Sequence, residues 1–272
     1  MSAFCGRLAR VSAADAAFVA GAVGASAEAL KQALERDLRA RASVLTDERV
    51  VQRVLGRDDV LVRITPSLFF EVLLRQAARD LGRTPYTLER TGTVRVPVFD
   101  AGRVCELLED HGVVLYLADM LASFTRVRSY TFTFRLGEGL WRTIRFHDMD
   151  LEGLKAFVGV APEAWRLPLY KRIADVCLFL TGLYPDHLAW EARYPLSREP
   201  RPRLPGRWRW TTRECEEEGR KHYRLGAEHD LAGELGMRDV LLVLAERFEE
   251  ARKVLEYLAA HYLCHRKDRL FH

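Results

Sequence analysis

Residues 167–184 read LPLYKRIADVCLFLTGLY, the most apolar stretch of the chain, and Gly182 and Pro185 supply stop signals at its end. A helix with this composition belongs at the centre of a helical body. Asp175 sits inside it, and a carboxylate buried among such neighbours must be paired, hydrogen-bonded, protonated or metal-bound. The pattern recurs twice, with Glu71 in SLFFEVLL and Asp119 in VVLYLADMLASF. Three segments with one acid each predict three core helices that share a polar problem.

Working outward, Thr65-Pro66 pairs a capping residue with proline at the first helical position, so the Glu71 helix starts there and stops near Gly82. Residues 26–42 predict a helix capped by Ser26, with Leu30, Leu34 and Leu38 on one face. Ser12 reads as the cap of an alanine-rich helix, and Asp100 as the cap of a helix containing Val104, Leu107 and Leu108 that ends near His111-Gly112. Residues 83–99 are rich in Thr, Pro and Val and read as extended or loop. In residues 129–146, SYTFTFRL and LWRTIRF flank GEG, and Tyr130, Phe132 and Phe134 alternate with polar residues, which predicts a β-hairpin. Two strands alone are marginal in water. The hairpin is therefore expected to lie on helices or to pair with VLVRI (60–64) or TVRVPVF (93–99).

The expected fold is mainly α: a multi-helix globular domain with one small β-hairpin or small sheet and a C-terminal helical hairpin. Its expected division is a core over 1–192, a Pro/Arg-rich strap over 193–210, and the C-terminal hairpin over 211–272, packed on the core. The strap, RYPLSREPRPRLPGRWRW, favours an extended connection. In the last segment, Phe248, Ala251 and Leu255 of RFEEARKVLEYLAAHYL resemble the second helix of a tetratricopeptide repeat. The resemblance covers one helix, and no second copy recurs at the required 34-residue period.

A length of 272 residues with 49% hydrophobic content supports a substantial core, while 29% charged residues leave a net charge of only +4. A protein that binds nucleic acid over its whole surface would be more basic. Cys5, Cys105, Cys177, Cys215 and Cys264 form no CxxC pair, so reduced thiols in a cytoplasmic protein are expected. Arg7 and Arg10 before AAFVAGAVGASA loosely imitate a leader, but Asp15 interrupts it. No apolar run approaches the roughly 20 residues of a membrane span. No membrane association and no cofactor are expected.

Four groups of residues carry candidate chemistry. Glu71, Asp119 and Asp175 could share metal ions as helical-bundle carboxylates do, although the Glu-x-x-His pairs of those sites are missing. Arg75, Ser123, Lys171 and Arg172 stand within one turn of these acids and can satisfy them internally. His222, His229, His261 and His265 are weaker ligand candidates, with His261 and His265 at i,i+4 but no HExxH. His147-Asp148 resembles the dyad of metal-dependent HD phosphohydrolases, with His111, Asp175 or Asp186 as further ligands; that dyad lies within a helix, whereas here it ends an expected strand. Arg201, Arg203, Arg207, Trp208, Arg209 and Trp210 combine phosphate-binding and stacking side chains, and Arg and Trp also dominate protein interfaces. No GxxxxGK[ST], GxGxxG or GxSxG motif is present. The expected role is therefore an interaction or regulatory module that binds a protein partner through the strap and C-terminal helices. The alternatives are nucleic-acid binding through the same strap and a metal-dependent enzyme.

Overall fold

A computed structural model describes residues 3–83, 87–91, 94–98, 100–126, 129–137, 140–147, 149–185, 210–264 and 266–271, and the protein is mainly helical. The N-terminal helices are α1 (Ala3–Leu8), α2 (Ala13–Val23), α3 (Ala27–Arg36), α4 (Leu38–Leu45), α5 (Glu48–Leu55), α6 (Val60–Arg63) and α7 (Pro66–Leu81). Ser12 caps α2 through a reciprocal capping box with Asp15. Asp15 is itself buried, and it also accepts from the Thr65 backbone N–H at 2.7 Å and the Thr65 hydroxyl at 3.0 Å. That hydroxyl in turn caps α7 by accepting from the Leu68 N–H, so one acid joins the starts of two helices.

Two expectations for this half need correction. The helix expected over 26–42 is split at Asp37, whose side chain accepts from the Arg39 and Ala40 N–H groups and so starts α4. Residues 60–64 form no strand: Val60–Arg63 is helical, and the Ile64 N–H closes onto the Val60 carbonyl.

Next come strands β1 (Thr87–Thr91) and β2 (Val94–Val98), helices α8 (Ala101–Glu109) and α9 (His111–Phe124), and strands β3 (Ser129–Gly137) and β4 (Leu140–His147). β1 pairs with β2 and β3 with β4, each as a separate antiparallel ladder. Val94–Val98 therefore joins β1 rather than the later pair. The described core is built from helices and the turns between them, and it forms a single cluster from Phe4 to Phe271.

The second half contains α10 (Leu151–Val160), α11 (Glu163–Leu183), α12 (Thr212–Glu228), α13 (Asp230–Glu234), α14 (Arg238–Glu246), α15 (Phe248–His261) and α16 (Lys267–Leu270). The C-terminal part is thus more than a hairpin. α12 lies along α11, α14 lies on α12, and α15 also reaches α11. α11 begins four residues before its apolar stretch and carries Pro168 inside it, and Ile173 to Leu183 are fully or almost fully buried.

Glycines let these helices approach closely. A Cβ at Gly219 would lie 3.1 Å from Cys177 Cβ, and one at Gly226 would lie 3.7 Å from Leu167 Cδ1 and 3.8 Å from Tyr170 Cβ. Advancing along α12 therefore means moving back along α11, so the two helices are antiparallel. The C-terminus of α11 and the N-terminus of α12 come out level with each other, an interaxial spacing of roughly 8–10 Å apart. Among the described residues, no single helix is long and apolar enough to cross a membrane.

Candidate functional site

Asp175 on α11 is the hub of a buried network. Its Oδ1 accepts from the Tyr116 hydroxyl of α9 at 2.7 Å and the Tyr223 hydroxyl of α12 at 2.9 Å, while Oδ2 accepts from Lys171 Nζ at 2.7 Å. The two rings meet edge to face at 6.1 Å, and the Lys171 ammonium sits 4.7 Å from the Tyr116 ring centre. Burial, reinforced by the Asp175 charge, pushes both phenols well above their usual range. Both tyrosines are therefore neutral donors to Asp175.

Glu71 belongs to a different group. Arg41 of α4 holds it through Nε and Nη2 at 2.6–3.0 Å, and Arg75, one turn later on α7, donates at 2.8 and 3.0 Å. Arg41 also donates to the Ala9 and Leu34 carbonyls. Burial alone would raise the Glu71 carboxyl, but the Arg41 hydrogen bonds and the charges of both guanidiniums outweigh it and hold the group below its usual value.

Asp119 differs from both. It lies three residues after Tyr116, one turn along α9, within electrostatic reach of Lys171 and Asp175. The expected bond to Ser123 does not form: the Ser123 hydroxyl donates to the Met120 carbonyl and accepts from Arg172. Arg172 stacks on Phe124 at 3.9 Å instead of reaching Asp175. Burial raises the Asp119 carboxyl, Asp175 adds to the rise, and Lys171 opposes it. A carboxylate with a folded pKa above its unfolded value weakens the fold at neutral pH; the penalty starts to shrink as pH falls through the folded value and is gone below the unfolded one. Asp119→Asn should therefore raise the urea midpoint at neutral pH, with the gain shrinking in mildly acidic buffer. A midpoint lowered at both pH values would show that Asp119 is held by a compensating partner.

The three acids thus do not all converge: Asp119 lies within electrostatic reach of Asp175 and Lys171, and Glu71 sits apart with its arginines. Glu71 is satisfied by arginines, and Asp175 by tyrosines and a lysine, so the shared metal centre is not found among the described residues, where no group of three or more His, Cys, Asp or Glu is arranged to hold an ion.

The histidines separate in the same way. His222 is buried and lies 3.0 Å from the Glu218 carbonyl, and burial lowers its pKa despite the nearby Glu218. His229 Nδ1 accepts from the Leu231 N–H at 3.2 Å, which leaves Nε2 to donate to the Glu163 carbonyl at 3.0 Å. His261 stacks on Tyr257 at 3.9 Å and bonds to the Tyr257 carbonyl. His265 lies outside the described residues, as do Asp148, Asp186 and the side chain of His147, so the dyad reading has no described geometry.

Arg201, Arg203, Arg207, Trp208 and Arg209 also lie outside the described residues. Trp210 is described. Its Nε1 donates to Glu152 of α10 at 3.1 Å, and Lys155 sits 4.3 Å from its ring centre. Lys155 also pairs with Glu218 of α12 at 3.1 Å. Thr211, the next residue, caps α12 with a capping box to Glu214. The partners of Asp175 and Glu71 lie up to 59 residues away in the chain, so only Lys171 and Arg75 could be read from local spacing. Comparison with protein-family models, curated proteins and solved structures finds no match for this chain.

Proposed function

We propose that the protein is a partner-binding module that takes an acidic segment of another protein on its arginine-rich strap and the adjoining outer face of α12. The clamping of Trp210 between Glu152 and Lys155 carries this reading. It fixes the residue that follows the strap sequence, and an anchored end reduces the ordering cost of binding. The strap leaves α11 and rejoins at α12 on the same end of an antiparallel pair.

The outer face of α12 adds Arg220, Lys221 and Arg224, interleaved with Glu217 and Glu228. Glu217, Arg220, Lys221, Arg224, Leu225 and Glu228 line a shallow depression of about 390 Å³. Arg220 is tied to the Ala245 and Glu246 carbonyls, whereas Lys221 and Arg224 are exposed. Arginine and tryptophan at a fixed root are the side chains that dominate interface energetics.

Fluorescence anisotropy with the full chain tests the reading, using a set of acidic peptides and a single-stranded oligonucleotide of matched charge. At least one peptide should bind more tightly than the oligonucleotide. Replacing Arg201, Arg203, Arg207 and Arg209 together with serine should weaken that binding at least about tenfold. Tighter oligonucleotide binding that falls steeply with salt would favour the nucleic-acid alternative. Binding of neither probe would overturn both.

A further inference from the structure

α11 and α12 carry one more pair of reactive groups, distinct from the Asp175 network. Cys177 and Cys215 are both fully buried, and Cys215 of α12 lies close enough to Cys177 of α11 to add to the rise of its thiol. The backbones are close at this point, because Cys177 Cβ lies 3.1 Å from where a Cβ on Gly219 would be, and Gly219 is one turn beyond Cys215 on α12. The other cysteines are elsewhere: Cys105 contacts the Ala78 carbonyl, Cys5 packs near Gly112, and Cys264 is exposed.

The couple also has a defined place in the topology. Cys177 precedes residues 186–209 and Cys215 follows them, so a bond between the two sulfurs would close the base of the strap. Cross-linking that base would remove conformational freedom from the unfolded chain. Glu218 and Lys155, a salt-bridged pair at 3.1 Å, act on Cys177 in opposite senses. Burial pushes the Cys177 thiol well up, so in the closed helix pair it is protonated and unreactive.

We propose that Cys177 and Cys215 form a two-electron dithiol couple that is oxidised by small disulfides and staples α11 to α12 at the root of the strap. The exchange balances. One thiolate attacks a glutathione disulfide and displaces a glutathione thiolate. The second protein thiolate then attacks the mixed disulfide, forming the protein S–S bond and releasing the second glutathione. The two protons lost by the cysteines go to the two glutathione thiolates. Because both sulfurs are buried, exchange proceeds only when the helix pair opens.

The test removes this access barrier by refolding the full chain from urea in buffers of defined reduced and oxidised glutathione, followed by acid quench, alkylation and peptide mapping. The expected product has lost two mass units, has a peptide linking Cys177 to Cys215, and melts several degrees above the reduced protein. Cys177→Ala and Cys215→Ala should each lose the linked peptide. Refolded protein in which these two cysteines are alkylated, or carry only glutathione adducts, at every potential that oxidises free glutathione would overturn the proposal.

Discussion

Glu71→Leu is expected to destabilise the protein by about 3–5 kcal/mol, because it leaves two guanidiniums buried without their counter-charge. Arg41 and Arg75 are 2% and 5% exposed, so water cannot replace the lost carboxylate. Arg41 keeps the Ala9 and Leu34 carbonyls as acceptors, but neither carries a formal charge. The effect should be non-additive. Replacing Arg41 and Arg75 with methionine in the same chain removes the uncompensated charge and should recover most of the loss, since apolar residues of similar volume substitute well for a buried ionic group. Urea unfolding of the single and triple variants measures both. A single-variant loss below about 1 kcal/mol would mean that the arginines reach solvent by a small rearrangement.

Gly219→Ala is the second large effect. The added methyl would lie 2.4 Å from Phe248 Cε2, 2.7 Å from Phe248 Cζ and 3.1 Å from Cys177 Cβ. Phe248 is fully buried and packs against Tyr223 at 6.2 Å, so the ring cannot swing aside without disturbing the phenol that serves Asp175. Overpacking of this kind costs about 1–3 kcal/mol and sometimes more. Gly182 is a second such position, where a Cβ would meet Leu255 Cβ at 2.5 Å. Phe248→Leu placed with Gly219→Ala should return part of the stability, and the double-mutant cycle should show coupling. Thermal unfolding of the four proteins decides it, and simple additivity would show that α12 shifts bodily away from α11 instead.

How far the sequence could be read depended on the range of each interaction. Thr65-Pro66 and Gly82 bound the Glu71 helix because caps and stops are local, and Ser12 was legible for the same reason. Val60–Arg63 was not, since a short apolar run fits a strand and a helix turn equally well. Asp37 looked like one more charge on an amphipathic surface until its carboxylate was found capping α4. Asp15 looked like an interruption of a leader, although its spacing from Ser12 is that of a capping box. For the site, Arg75 and Lys171 followed from i+4 spacing. Arg41, Tyr116 and Tyr223 reach their acids from 30, 59 and 48 residues away, and no local pattern marks such partners.

The level ends of α11 and α12 also bear on how this protein can change over generations. An insertion whose ends sit side by side adds little to the closure term of folding, about 0.6 kcal/mol for each doubling of a flexible connection. The strap can therefore lengthen, shorten or be exchanged for another sequence while the core keeps its packing, and Trp210 marks where such variation has to stop.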